Sequence, residues 1–255
     1  MRSPMKAYQN YIFDLYGTLV DIHTDEGKPG FWKKMAAYFG DRGAAYEAAG
    51  LQKDYLELVR RKESELKGRL DHARGADSHE SSPEIHLEDV FEELYRVKGI
   101  VPTDALIRDT ALEFRKRSTT HLRAYAGCEQ LLTAIHEAGR KAYLLSNAQH
   151  IFTEWEMRTL GIWDLFDGIF ISSDHGCRKP DPRFFRALLE AYDLSPSECL
   201  MIGNDPANDI AGAAAVGMDT CYIHSALSPR WEGEVLATCR QDSMDLRKLR
   251  RTLQL

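Results

Sequence analysis

A short apolar run, Tyr11-Ile12-Phe13, delivers an aspartate directly into Asp14-Leu15-Tyr16-Gly17-Thr18. A carboxylate at the end of a buried strand, beside a glycine that lets backbone N–H groups approach a ligand, suits covalent attack on a small electrophile. Asp14 is therefore the candidate nucleophile. Tyr16 lies two residues on; its phenol, with a pKa of about 10, donates a hydrogen bond near neutral pH but does not readily act as a base. Further polar groups lie at Ser146-Asn147, at Lys179 before Pro180-Asp181-Pro182, and in Gly203-Asn204-Asp205-Pro206-Ala207-Asn208-Asp209.

Short apolar runs alternating with helical patterns would position these residues. Residues 141–145, 168–171, 199–202 and 220–223 read as strands, and residues 128–138, 151–160, 183–192 and 209–216 as helices. Such alternation implies crossover connections and a mainly parallel sheet, which binds ligands at the carboxyl ends of its strands. Asp14, Ser146 and the Asn204-Asp205 pair each fall just past such an end. Between about residues 30 and 120 the periodicity is helical throughout, with Leu51, Tyr55, Leu58 and Val59 on one amphipathic face. The polar stretch at residues 71–83 reads as a mobile connection between those helices.

In this order, Asp14, Ser146-Asn147, Lys179 and the segment 203–209 resemble the four motifs of the haloacid dehalogenase (HAD) superfamily. The resemblance implies an α/β fold: a Rossmann-like, mainly parallel core (residues 1–22 and 122–255) and an inserted α-helical cap (residues 23–121). In phosphatase-like members, the residue corresponding to Asp14 attacks phosphorus, and water hydrolyses the resulting aspartyl-phosphate. The resemblance further implies Mg2+ held by Asp14, the Tyr16 carbonyl and the acidic motif of Asn204, Asp205 and Asp209, with the direct ligand open between Asn204 and Asp205. Lys179 would offset charge, while Gly17, Thr18, Ser146 and Asn147 would meet substrate.

Two departures pull in opposite directions. Asp-x-Tyr-Gly-Thr is the form found in 2-haloacid dehalogenases, where a carboxylate attacks carbon and expels halide, a leaving group that needs no proton. Those enzymes usually have Ser-Ser-Asn in the fourth motif and a tyrosine where this chain has Phe185. Here Asp205 and Asp209 retain hard oxygen donors suited to Mg2+. The expected activity is Mg2+-dependent, phosphatase-type hydrolysis of a small phosphorylated metabolite. The alternatives are a 2-haloacid dehalogenase or a catalytically weakened ligand-binding or regulatory protein.

Composition narrows the partners. A net charge of −6 without a basic tract argues against nucleic acid. No apolar run reaches membrane-spanning length and the first residues lack a signal-peptide core, so the expectation is a cytoplasmic protein with a small-molecule substrate and no membrane partner. Five scattered cysteines without CxxC spacing read as free thiols. His150, His175 and His224 form no metal-ligand spacing. Nothing in the sequence specifies an oligomeric state.

Overall fold

Strands covered by helices on both faces bury every side chain, so they read as unbroken apolar runs. β1 (Asn10–Phe13) is such a strand, buried along its whole length. In the computed structural model, which describes residues 6–74 and 84–255, it is the third strand of a six-stranded parallel sheet. Its chain-order companions are β4 (Lys141–Ser146), β5 (Gly168–Ile171), β6 (Cys199–Gly203), β7 (Asp219–Ile223) and β8 (Cys239–Gln241), arranged spatially as β5-β4-β1-β6-β7-β8. Alternation along β1 sends Tyr11 and Phe13 to one face and Ile12 to the other. On the first face they meet Leu131, Leu132 and Ile135 of α5 (Cys128–Glu137), and Leu246 and Leu249 of α9 (Leu246–Leu253). On the second, Ile12 joins Phe184, Phe185 and Leu188 of α7 (Pro182–Ala191), which starts with Asp181 capping the Arg183 N–H and Pro182 in the first turn.

The chain leaves the core through β2 (Val20–Thr24) and returns through β3 (Thr119–Ala124), paired antiparallel as a separate ribbon. This ribbon was not among the strands read from the sequence, and its returning arm begins inside the stretch read as helical throughout. Between its arms lie α1 (Phe31–Gly40), α2 (Ala48–Arg74), α3 (Leu87–Arg96) and α4 (Asp104–Ser118). They enclose a second apolar cluster built on Phe31, Phe39, Tyr55, Phe91 and Phe114, with Phe31 and Phe91 edge-on to Phe114 at 5.1 and 5.4 Å. Phe152 of α6 (His150–Thr159) inserts into that cluster from the core side, so α6 is where the helical insert seats. Of the stretch read as a mobile connection, residues 71–74 complete α2, and residues 75–83 lie outside the described residues. No disulfide joins any of the five cysteines, and no helix among the described residues is long and apolar enough to cross a membrane.

Candidate active site

Parallel pairing aligns Phe13 with both Leu144 and Ile202, so the residues that follow β1, β4 and β6 emerge side by side at one edge of the sheet. Asp14 follows β1 directly, Ser146 ends β4, and Asn204 follows β6. Lys179 reaches them from the loop before α7, and its side chain is almost wholly buried. Its Nζ donates to Asp14 Oδ1 at 2.8 Å, Asp209 Oδ1 at 2.7 Å and the Leu145 carbonyl at 2.7 Å, which uses all three ammonium protons. Burial alone would lower the lysine pKa. The two carboxylates outweigh that effect and hold it above its ordinary value. Burial also pushes the Asp209 carboxyl upward, against the pull of Lys179 and with Asp14 adding to the rise.

The other Asp14 oxygen faces neutral groups. Thr18 Oγ1 lies 3.2 Å from Asp14 Oδ2. One atom of the Asn204 side-chain amide sits 3.1 Å from Thr18 Oγ1, 3.2 Å from Asp14 Oδ2 and 3.1 Å from the Tyr16 carbonyl oxygen, a contact set that a nitrogen satisfies and an oxygen does not. Gly17 makes this approach possible: its φ is +85°, and a Cβ there would lie 2.3 Å from the Asn204 amide and 3.0 Å from Leu227 Cβ. Gly17→Ala should therefore combine a strained φ with a collision inside the site. We expect turnover to fall by about 100-fold or more and unfolding in urea to shift by about 1–3 kcal/mol. Unchanged kinetics would mean that the close approach is not needed.

Several expected site residues serve other atoms. Asn147 holds the Lys179 loop, accepting from the Lys179 N–H at 2.8 Å and donating to its carbonyl at 2.9 Å. Asp205, expected among the metal ligands, turns into its own helix: Oδ1 accepts from the Ala207 and Asn208 N–H groups, each at 2.9 Å, and Oδ2 from Asn208 Nδ2 at 2.7 Å. Pro206 follows immediately, where its missing N–H and fixed φ favour that cap. Asp209 spends its oxygens on Lys179 and on the Asp205 N–H at 2.9 Å. Ser146 differs from these, because its buried hydroxyl has no hydrogen-bond partner.

The Tyr16 hydroxyl points away from Asp14, donating a short hydrogen bond to Glu156 Oε2 and lying 3.1 Å from Thr153 Oγ1. Arg115, in the last turns of α4, donates to the other Glu156 oxygen at 2.5 Å. Burial, and then Glu156, push the Tyr16 phenol above its ordinary pKa, so it remains protonated. The Glu156, Thr153 and Arg115 roles are not apparent from motif spacing. A carboxylate on the buried face of α6, in register with Phe152, Thr153 and Met157, was the available signal.

Among the described residues, no three His, Cys, Asp or Glu side chains gather as metal ligands. The oxygens that could face a cation are Asp14 Oδ2, the Tyr16 carbonyl and, after rotation of its amide, Asn204 Oδ1. The two contacts of that Asn204 atom, 3.2 and 3.1 Å, are close to the roughly 3.0 Å between adjacent ligands of an octahedral Mg2+ bound at about 2.1 Å. The donor set fits Mg2+ with one carboxylate and two neutral oxygens.

A family model for haloacid dehalogenase-like hydrolases matches residues 8–217. The chain is 31% identical over 142 residues to a phosphoserine phosphatase from Thermus thermophilus, covering 56% of each protein. It is 26% identical over 221 residues to (S)-2-haloacid dehalogenase 1 from Pseudomonas sp. strain CBS-3, covering 86% of each. It spans about half the length of the curated phosphatases it matches. Among solved structures, a 2-haloacid dehalogenase from Pseudomonas syringae superposes with a TM-score of 0.65 at 17% identity, over 97% of this chain and 98% of that one, which speaks to the fold. With the family model matching most of its length, the chain belongs to the haloacid dehalogenase-like hydrolases.

Proposed function

We propose that the protein is a Mg2+-assisted phosphohydrolase that acts through Asp14 on a small phosphorylated metabolite. The observation that carries this reading is the buried Lys179 ammonium bridging Asp14 and Asp209, next to a Ser146 hydroxyl that is buried without a partner. A fixed cation beside an uncommitted hydroxyl suits an oxygen that bears negative charge. A divalent cation, when bound, polarises a phosphoryl oxygen and offsets its repulsion from the nucleophile. Asp14, the Tyr16 carbonyl and Asn204 Oδ1 would hold it. Ser146 and the Gly17 and Thr18 N–H groups would take phosphoryl oxygens.

In this mechanism the Asp14 carboxylate attacks phosphorus and the bond to the ester oxygen breaks. Water then attacks phosphorus, releasing phosphate and restoring Asp14. Tyr16 does not supply the leaving group's proton, because its hydroxyl is committed to Glu156 and Thr153. The proton comes from water, so turnover should depend steeply on leaving-group acidity. With p-nitrophenyl phosphate the missing acid matters little. With simple alkyl phosphates it should cost about two to four powers of ten in rate. Equal turnover of both ester types would indicate an acid elsewhere in the site.

The same Tyr16 commitment favours a second reading, 2-haloacid dehalogenation, in which halide leaves without a proton. The (S)-2-haloacid dehalogenase match over 86% of both chains supports it. Assays with p-nitrophenyl phosphate and with 2-chloropropionate, each in Mg2+ and in EDTA, separate the two. Phosphate release that requires Mg2+ is the expected result. Halide release in EDTA, without phosphatase activity, would replace the first reading by the second.

A further inference from the structure

We propose that the Asn204 side-chain amide is a built-in stand-in for the divalent cation: its NH2 group bridges Asp14 and the Tyr16 carbonyl when no metal is bound, and the amide turns over to present Oδ1 when one is. The inference rests on the metal-assisted reading only for the identity of the cation.

Asp14 Oδ2 and the Tyr16 carbonyl are pure acceptors, and both lie within 3.2 Å of the same Asn204 atom. An oxygen at that point would leave three lone-pair groups facing one another, with only the Thr18 hydroxyl proton to share among them. A nitrogen supplies two protons, one for each acceptor. Thr18 Oγ1 can then donate to Asp14 Oδ2 at 3.2 Å. Asn204 is almost wholly buried and Asp14 nearly so, so unpaired acceptors at this point would be costly. The residue therefore satisfies the pocket in either of two orientations, which a carboxylate at the same position would not do. An aspartate there would set a second anion 3.2 Å from Asp14 Oδ2 and make the pocket depend on a cation.

The test reads melting temperature and metal binding, so it does not depend on turnover or on which substrate is correct. Wild-type protein should melt higher in 10 mM MgCl2 than in EDTA only by what native-state ligand binding itself supplies. Asn204→Asp should melt several degrees lower in EDTA, on the order of 4 °C or more, and regain most of that loss in MgCl2. Titration with Mn2+ followed by electron paramagnetic resonance should show Asn204→Asp binding at least about tenfold more tightly than wild type. Asn204→Ala, which removes both orientations, covers the case in which the aspartate variant does not fold; it should be destabilised in EDTA relative to wild type and partly rescued by MgCl2. A wild-type difference between EDTA and MgCl2 as large as that of Asn204→Asp would overturn the proposal. So would Asn204→Asp protein that ignores metal in both measurements, or Asn204→Ala protein as stable as wild type in EDTA.

Discussion

Asp14→Asn should abolish turnover while leaving the fold intact. The amide keeps the shape of the carboxylate, still accepts from Lys179 Nζ, and sits in the same strand-end position, but it lacks the anionic lone pair that the proposed attack requires. Removing a nucleophile of this kind lowers kcat by at least about three powers of ten. Stability should not fall, since the variant relieves one of the two buried negative charges that share Lys179. Steady-state kinetics on verified, contaminant-free protein, paired with thermal unfolding, is the check. A variant that retained most of its activity would remove Asp14 from the mechanism.

Lys179→Met should be damaging in both respects. The ammonium lies among two carboxylates and a carbonyl with almost no solvent contact, so its removal leaves Asp14 and Asp209 facing each other in a dry pocket. Breaking a buried pair by deleting one partner costs about 3–5 kcal/mol, which for a protein of this size corresponds to a melting temperature lower by about 6 to 20 °C. One of the two carboxyls then takes up a proton, which would remove the nucleophile's charge whenever the proton resides on Asp14. A double variant, Lys179→Met with Asp209→Asn, should recover part of the stability and none of the activity. Recovery of activity in the double variant would show that the lysine serves only to neutralise Asp209.

The parallel core was legible because buried strands write themselves as apolar runs, and polar residues just beyond them have few places to go except the ligand edge. Asp14, Ser146 and Asn204 were visible in this way, whereas Lys179, in the loop before α7, was picked out by its place in the motif order. The β2–β3 ribbon was not, because Val-Asp-Ile-His-Thr and Thr-Thr-His-Leu-Arg-Ala mix polar and apolar residues on a half-exposed surface. β8, three residues containing an exposed arginine, was hidden for the same reason. Spacing also left Asn204 and Asp205 interchangeable. The difference lies in backbone geometry, since the residue before Pro206 is drawn into capping the next turn and its neighbour is left to face Asp14. Asn147 stands where a substrate contact was expected, and spacing gave no sign that the Lys179 loop takes both ends of its amide.

The most direct measurement of the account is multiple turnover in H2(18)O followed by mass spectrometry of both the released product and the peptide carrying Asp14. If Asp14 forms an aspartyl-phosphate, water attacks phosphorus, and the heavy oxygen leaves in inorganic phosphate while the Asp14 carboxylate stays unlabelled. If Asp14 forms a carbon ester by displacing halide, water attacks the carboxyl carbon, and the heavy oxygen accumulates in the Asp14 side chain. The account predicts labelled phosphate from p-nitrophenyl phosphate in Mg2+ and an unlabelled Asp14 peptide; label in Asp14 with halide release from 2-chloropropionate would contradict it.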